Sequence, residues 1–242
     1  MRFDWHLRDG IASPANFALL VSFLLSFPLI LRLTGALAVA NLGPQSPEHT
    51  HAFLRLCLVL TGFLWTAFII AFAGVRNRGT ITWRQLIGTD WRGTTGIAAH
   101  LGVAVLVLVV MALIGNASAA FLGPFQHDSK AFQSMVAQTP MEAFAFLVLA
   151  LSAGFVEEFI FRGYIQRQCQ ALFDNTALAS LAQIVIFTYG HFYQGWLRLI
   201  PVVLIAVVVT LTALWRKSLI PGMVAHGLGD GLVSFMFFFK HL

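Results

Sequence analysis

Residues Ala153–Gln168 read AGFVEEFIFRGYIQRQ and follow PMEAFAFLVLALS, Pro140–Ser152, which is apolar at nearly every position. Two adjacent glutamates and an arginine therefore close a run suited to lipid. Charged groups inside membrane spans are expensive, and they face a bundle interior or a water-filled cavity. The rest of the chain decides that this run is such a span. Of its 242 residues, 58% are hydrophobic and only 10% are charged, against about 25% charged in a soluble globular domain. The expectation is an all-α fold, a polytopic membrane helix bundle of about seven or eight helices. The chain reads as a single transmembrane domain, 1–242, with a motif-bearing half at 141–239.

The apolar runs are Phe17–Ala40, Phe53–Gly74, Ile97–Ile114, Met141–Phe161, Ala177–Tyr189, Leu199–Trp215 and Leu219–Phe239. A helix needs about 20 apolar residues to cross the hydrocarbon core. Ala177–Tyr189 is short and must begin earlier, tilt or pack inside the bundle. The runs are too long and continuous for the alternating strands of a barrel. Residues 1–16 are polar and mixed in charge, unlike a cleavable signal peptide.

Lys and Arg set the expected orientation. Arg76, Arg78, Arg84 and Arg92 crowd one inter-helix stretch, read as cytoplasmic. Residues 41–52 carry no Lys or Arg, and 116–139 carry only Lys130, so both are read as outward. Arg162, Arg167, Arg216 and Lys217 fall on the inside in the same count. Seven spans would leave the N-terminus inside and the C-terminus outside. The net charge of +5 is thus a matter of topology, and no nucleic-acid-binding face is expected. Cys57 and Cys169 form neither a disulfide framework nor a metal-binding pair.

The polar residues left within spans are Glu157, Glu158, Arg162, His191, His226 and Asp230. Glu158 and Arg162 are four apart and share a helix face, so an ion pair that fixes the helix is expected. Glu157 lies about 100° around the helix from Glu158. It is free to face a cavity, where a carboxylate suits a general base. A neutral His191 can share a water with it. His226 and Asp230, again four apart, form a second polar patch that can bind an oxyanion or orient a carbonyl. A helical hairpin turning at Asp174-Asn175 would bring Glu157 and His191 to one height. His226 fits less well, being about 12 Å along a helix from Arg216-Lys217. One remedy is that Gly163–Phe173, GYIQRQCQALF, lies along the cytoplasmic interface.

Three motifs carry a resemblance. EEFIFR (Glu157–Arg162), FTYGH (Phe187–His191) and HGLGD (His226–Asp230) occur in this order in an all-helical membrane chain. The set resembles the CAAX protease and bacteriocin-processing (Abi) family, over about Met141 to Phe239. That family includes the eukaryotic enzyme that removes the last three residues of prenylated CAAX proteins. The resemblance implies an intramembrane glutamate protease. Glu157 and His191 would activate water, His226 and Asp230 would serve the oxyanion side, and Glu158 and Arg162 would support them. The prenyl-protein enzymes carry asparagine at the last position, where this chain has Asp230. An amide can donate a hydrogen bond, whereas an ionised carboxylate cannot, so Asp230 either carries a proton or orients His226.

The expected substrate is a membrane-embedded or lipid-anchored protein or peptide, in a multi-pass protein of a prokaryotic inner membrane. No cofactor and no metal are expected, although Glu157, His191 and His226 together are a possible zinc ligand set; the HExxH spacing is absent. Two other functional classes compete. One is a catalytically inactive scaffold or bacteriocin-immunity protein. The other is a proton-coupled transporter, for which matching halves with broken helices are lacking. Phe187 is expected to pack. The glycines of GMVAHGLGDG, Gly222–Gly231, are expected to allow close helix approach. His6, His49, His51, His100, His127 and His241 show no ligand spacing, and His49 and His51 are placed in an outward loop.

Overall fold

The computed structural model describes residues 10–42, 46, 48–88, 93–123 and 136–240, with backbone alone at 93–95 and 233–240. His6, Arg92, His127, Lys130 and His241 lie outside the described residues. The described residues form helices and connections, with no strand. In chain order the helices are α1 (Pro14–Leu25), α2 (Phe27–Leu33), α3 (His49–Arg78), α4 (Trp83–Ile87) and α5 (Gly93–Leu122). They are followed by α6 (Pro140–Glu157), a π-helical segment (Glu158–Ile165), α7 (Gln166–Phe173), α8 (Thr176–Gly190), α9 (Leu199–Arg216) and α10 (Ile220–Lys240).

Among the described residues, four helices are long and apolar enough to cross a bilayer: His49–Arg78, Gly96–Leu122, Pro140–Phe173 and Trp196–Arg216. The chain is a multi-pass helical membrane protein. Leucine, valine and phenylalanine on the outer faces of these helices are exposed, as contact with acyl chains requires. The first apolar run is not one straight helix. It bends by 47° between α1 and α2. Pro28 lacks the N–H that would continue α1, and Ser26 turns its hydroxyl back to the Phe23 carbonyl at 2.7 Å. Gly35, at φ 62°, then reverses the chain into a 3-10 turn, Ala36–Asn41.

The anticipated hairpin forms. Asp174 adopts the left-handed conformation, φ 48°, and Asn175 caps α8 by accepting from Leu178 N at 3.0 Å. The interfacial placement of Gly163–Phe173 does not occur, because α6, the π segment and α7 form one continuous span, Pro140–Phe173. The depth of His226 is set elsewhere. Leu219 N donates to the Ile87 carbonyl at 2.8 Å, and Leu219 lies beside Gly163, where a Cβ would meet its Cδ1 at 3.0 Å. From that shared level Glu157 is about 9 Å along its helix and His226 about 10 Å along its own. The α7–α8 hairpin simply extends further than the α9–α10 connection.

Candidate active site

Glu157, Glu158 and Arg162 sit mid-way along the Pro140–Phe173 span, where the helix widens into its π segment. π-Helical turns are rare and concentrate at functional sites. Glu158 and Arg162 meet at 3.1 Å, both side chains about 1% exposed. Arg162 is therefore buried in mid-span and takes no part in the cytoplasmic charge count. Its remaining donors are used on α9: Nε reaches Thr210 Oγ1 at 3.3 Å and Nη2 the Ala206 carbonyl at 3.2 Å. The Thr210 hydroxyl donates to Ala206 O at 2.6 Å and also accepts from Gln183 of α8 at 2.8 Å. One hydroxyl has one donor and two acceptor sites, so these three bonds exhaust it. Phe187 packs as expected, beneath the guanidinium at 4.6 Å and against the His191 ring at 4.4 Å.

His226 reaches this centre because α6 and α10 cross at glycine. A Cβ on Gly154 would lie 2.8 Å from the Met223 carbonyl oxygen and against the Gly227 backbone. Gly222 likewise leaves room for Glu158, whose Oε2 would sit 3.2 Å from an added Cβ. His226 Nδ1 is 3.1 Å from Glu158 Oε1. Its Nε2 is 3.7 Å from Glu157 Oε2 and 3.5 Å from Asp230 Oδ2. His226 and Asp230 are thus not a separate patch, since the imidazole rests on both glutamates. Glu158 already accepts from Arg162, so Nδ1 of His226 is the donor toward it.

His191 ends α8 as its C-cap. Its Nδ1 lies 2.9 Å from the Phe187 carbonyl. A carbonyl only accepts, which puts the proton on Nδ1 and leaves Nε2 of a neutral ring as an acceptor. Glu157, His191 and Asp230 line one cavity of about 140 Å³. Its other walls are mainly apolar and come from α1, α2, α3 and α6, among them Phe27, Phe53, Phe63, Ala150 and Ala153. The two glutamates differ sharply in access. The Glu157 side chain is 13% exposed and Glu158 1%; among the described residues no hydrogen-bond partner reaches Oε2 of either, but Glu158 Oε1 accepts from Arg162 and His226.

All six residues singled out in the sequence therefore converge. The sequence reading missed Thr210 and Gln183, which complete the arginine's shell. The two threonines, Thr210 and Thr212, within the otherwise apolar LIPVVLIAVVVTLTALWR (Leu199–Arg216) were the available signal. It also missed a second buried pair, His49 with Glu142 at 3.4 Å. His49 is the first residue of α3 and fully buried, not part of an outward loop. Among the described residues no group of three His, Cys, Asp or Glu is disposed to hold a metal ion.

Fold and site together define a multi-pass helical membrane protein with a buried carboxylate–imidazole centre beside an apolar cavity. Residues 139–232 match the family model described as type II CAAX prenyl endopeptidase Rce1-like. The matched stretch contains all three motifs, and the family model is one of the CAAX protease and Abi family that they resemble. Comparisons with curated proteins and with solved structures give no match.

Proposed function

We propose that the protein is an intramembrane endopeptidase that hydrolyses a peptide bond of a membrane-embedded or lipid-anchored protein. One observation carries this reading: of two adjacent glutamates, Glu158 is sealed and doubly bonded, while Glu157 faces the cavity that His191 also lines. Water would sit between the Glu157 carboxylate and Nε2 of His191. Glu157 takes its proton as the hydroxide adds to the carbonyl carbon. When the C–N bond breaks, the same carboxyl returns the proton to the leaving nitrogen, acting as base and then acid. The products are a carboxylic acid and an amine.

His226 and Asp230 would face the carbonyl oxygen. With Nδ1 committed to Glu158, Nε2 of a protonated His226 points its N–H away from Glu158, and Asp230 Oδ2 lies 3.5 Å from that nitrogen. A donor aimed at a developing oxyanion is typically worth about 3–4 kcal/mol. Glu158 and Arg162 hold this imidazole and the helix in register. We further propose that the reaction needs no metal, that the whole chain acts as one domain with its chemistry in 141–239, and that it resides in a prokaryotic inner membrane.

The test is proteolysis of bilayer-reconstituted protein against a library of apolar membrane peptides, with and without a strong chelator. Cleavage that survives chelation and disappears in Glu157→Gln is expected. Cleavage abolished by chelator and restored by added zinc would overturn the metal-free mechanism, and cleavage undiminished in Glu157→Gln would remove Glu157 from the reaction.

A further inference from the structure

A second cavity lies at the end of α3 and shares no lining residue with the first. Residues 71–88 contain Arg76, Arg78 and Arg84 and no acidic residue. Gly79, at φ 68°, turns the chain out of α3. Thr82 and Gln85 then cap α4 reciprocally, Thr82 N donating to Gln85 Oε1 at 2.7 Å and Gln85 N to Thr82 Oγ1 at 3.3 Å. Between these two helix ends is a groove of about 380 Å³. Phe72, Val75 and Ile81 give it an apolar floor, and Arg76, Thr82 and Trp83 form its rim. Trp83 is 46% exposed and carries the Arg84 guanidinium 5.4 Å from its ring. Among the described residues neither Arg76 nor Arg84 has a carboxylate partner.

Apolar floor, cationic rim and interfacial indole are three separate requirements of one ligand. An exposed arginine alone is satisfied by water. Here, however, Arg76 lines the hollow and Arg84 stacks on the Trp83 at its rim, and the floor would be wetted at a cost unless methylenes cover it. Basic pockets at membrane surfaces select anionic headgroups, and tryptophan settles at headgroup depth. We infer that the groove between the end of α3 and α4 is a binding site for an anionic phospholipid. The phosphodiester meets Arg76 and Arg84, and the first acyl methylenes lie on Phe72, Val75 and Ile81.

The site bears on the rest of the molecule through α4. The Leu86 carbonyl accepts from Arg167 Nη2 at 3.0 Å, and the Ile87 carbonyl accepts from Leu219 N at 2.8 Å. A Cβ on Gly163 of the π segment would lie 3.3 Å from Leu86 Cγ. A lipid that consolidates α4 therefore also braces the helices that carry Glu158 and His226. The inference does not depend on any catalytic role for them.

The experiment is thermal unfolding of the full chain in neutral detergent, with dioleoyl phosphatidylglycerol, dioleoyl phosphatidylcholine or glycerol 3-phosphate added. Phosphatidylglycerol should raise Tm by at least about 2–4 °C over phosphatidylcholine, and glycerol 3-phosphate should not. The Arg76→Gln/Arg84→Gln variant should lose that difference while melting normally in phosphatidylcholine. The single variants Arg76→Gln and Arg84→Gln, each expected to halve the difference, replace it if the double variant does not fold. An equal gain from both lipids, a gain matched by glycerol 3-phosphate, or a difference retained in the variants overturns the assignment.

Discussion

Glu158 and His226 are joined at 3.1 Å across 68 residues of chain, and the same carboxylate oxygen accepts from Arg162 at 3.1 Å. One buried oxygen thus ties the π segment to α10 and fixes which imidazole nitrogen faces Glu157. Removing either cation would leave a carboxylate short of a partner in the bundle interior.

Loss of one member of a buried pair costs about 3–5 kcal/mol. Arg162→Ala should therefore lower folded yield and melting temperature well below those of Glu157→Gln, whose carboxylate has one face on the cavity. Size-exclusion yield and thermal unfolding of the two variants check this. Equal behaviour would contradict the division between a structural and a chemical glutamate.

The approach of α10 to α6 rests on Gly154, whose added Cβ would collide with the Gly227 backbone. Overpacking a filled site costs about 1–3 kcal/mol, and here backbone must move. Gly154→Ala should lower the melting temperature and any proteolysis together. Gly62→Ala, on α3 with nothing within 4 Å of the new Cβ, is the control and should be neutral or slightly stabilising.

Thr80 is exposed in the turn after α3, and both native cysteines are buried. Thr80→Cys in intact cells should resist an impermeant thiol reagent added outside and react once the membrane is opened. Ready labelling from outside would invert the orientation inferred from Arg76, Arg78 and Arg84.

Local spacing and turn chemistry made part of this legible before any coordinates. The Glu158–Arg162 pair follows from a four-residue step, and the level of His191 with Glu157 follows from the Asp174-Asn175 turn. The contact of His226 with both glutamates does not. It depends on a glycine crossing between α6 and α10 and on how far one hairpin extends past the other, which no local pattern encodes. Counting arginines by chain position placed Arg162 at the interface, because composition is blind to burial. Thr210 was invisible for the opposite reason: a single hydroxyl hardly alters an apolar run, yet its three hydrogen bonds complete the arginine's shell.

The Asp230 side chain is 46% exposed, more than those of Glu157, Glu158, Arg162 and His226, and lies 3.5 Å from His226 Nε2. If it acts as a donor or through His226, an amide is an adequate replacement. Asp230→Asn should keep turnover within a few-fold of the natural chain, while Asp230→Leu should lose it by about 100-fold, the scale of one oxyanion donor. Both are measured against folded protein. Equal loss in both would mean that the negative charge itself is required.

The most direct test of the central claim compares membrane-derived peptides released in cells that produce the natural chain with those in cells that produce Glu157→Gln, at matched folded abundance. The glutamine keeps the shape of the site and removes the base, so peptides present with the natural chain should vanish. Identical peptide profiles from two folded and abundant proteins would contradict the protease reading and leave a partner-binding role for this bundle.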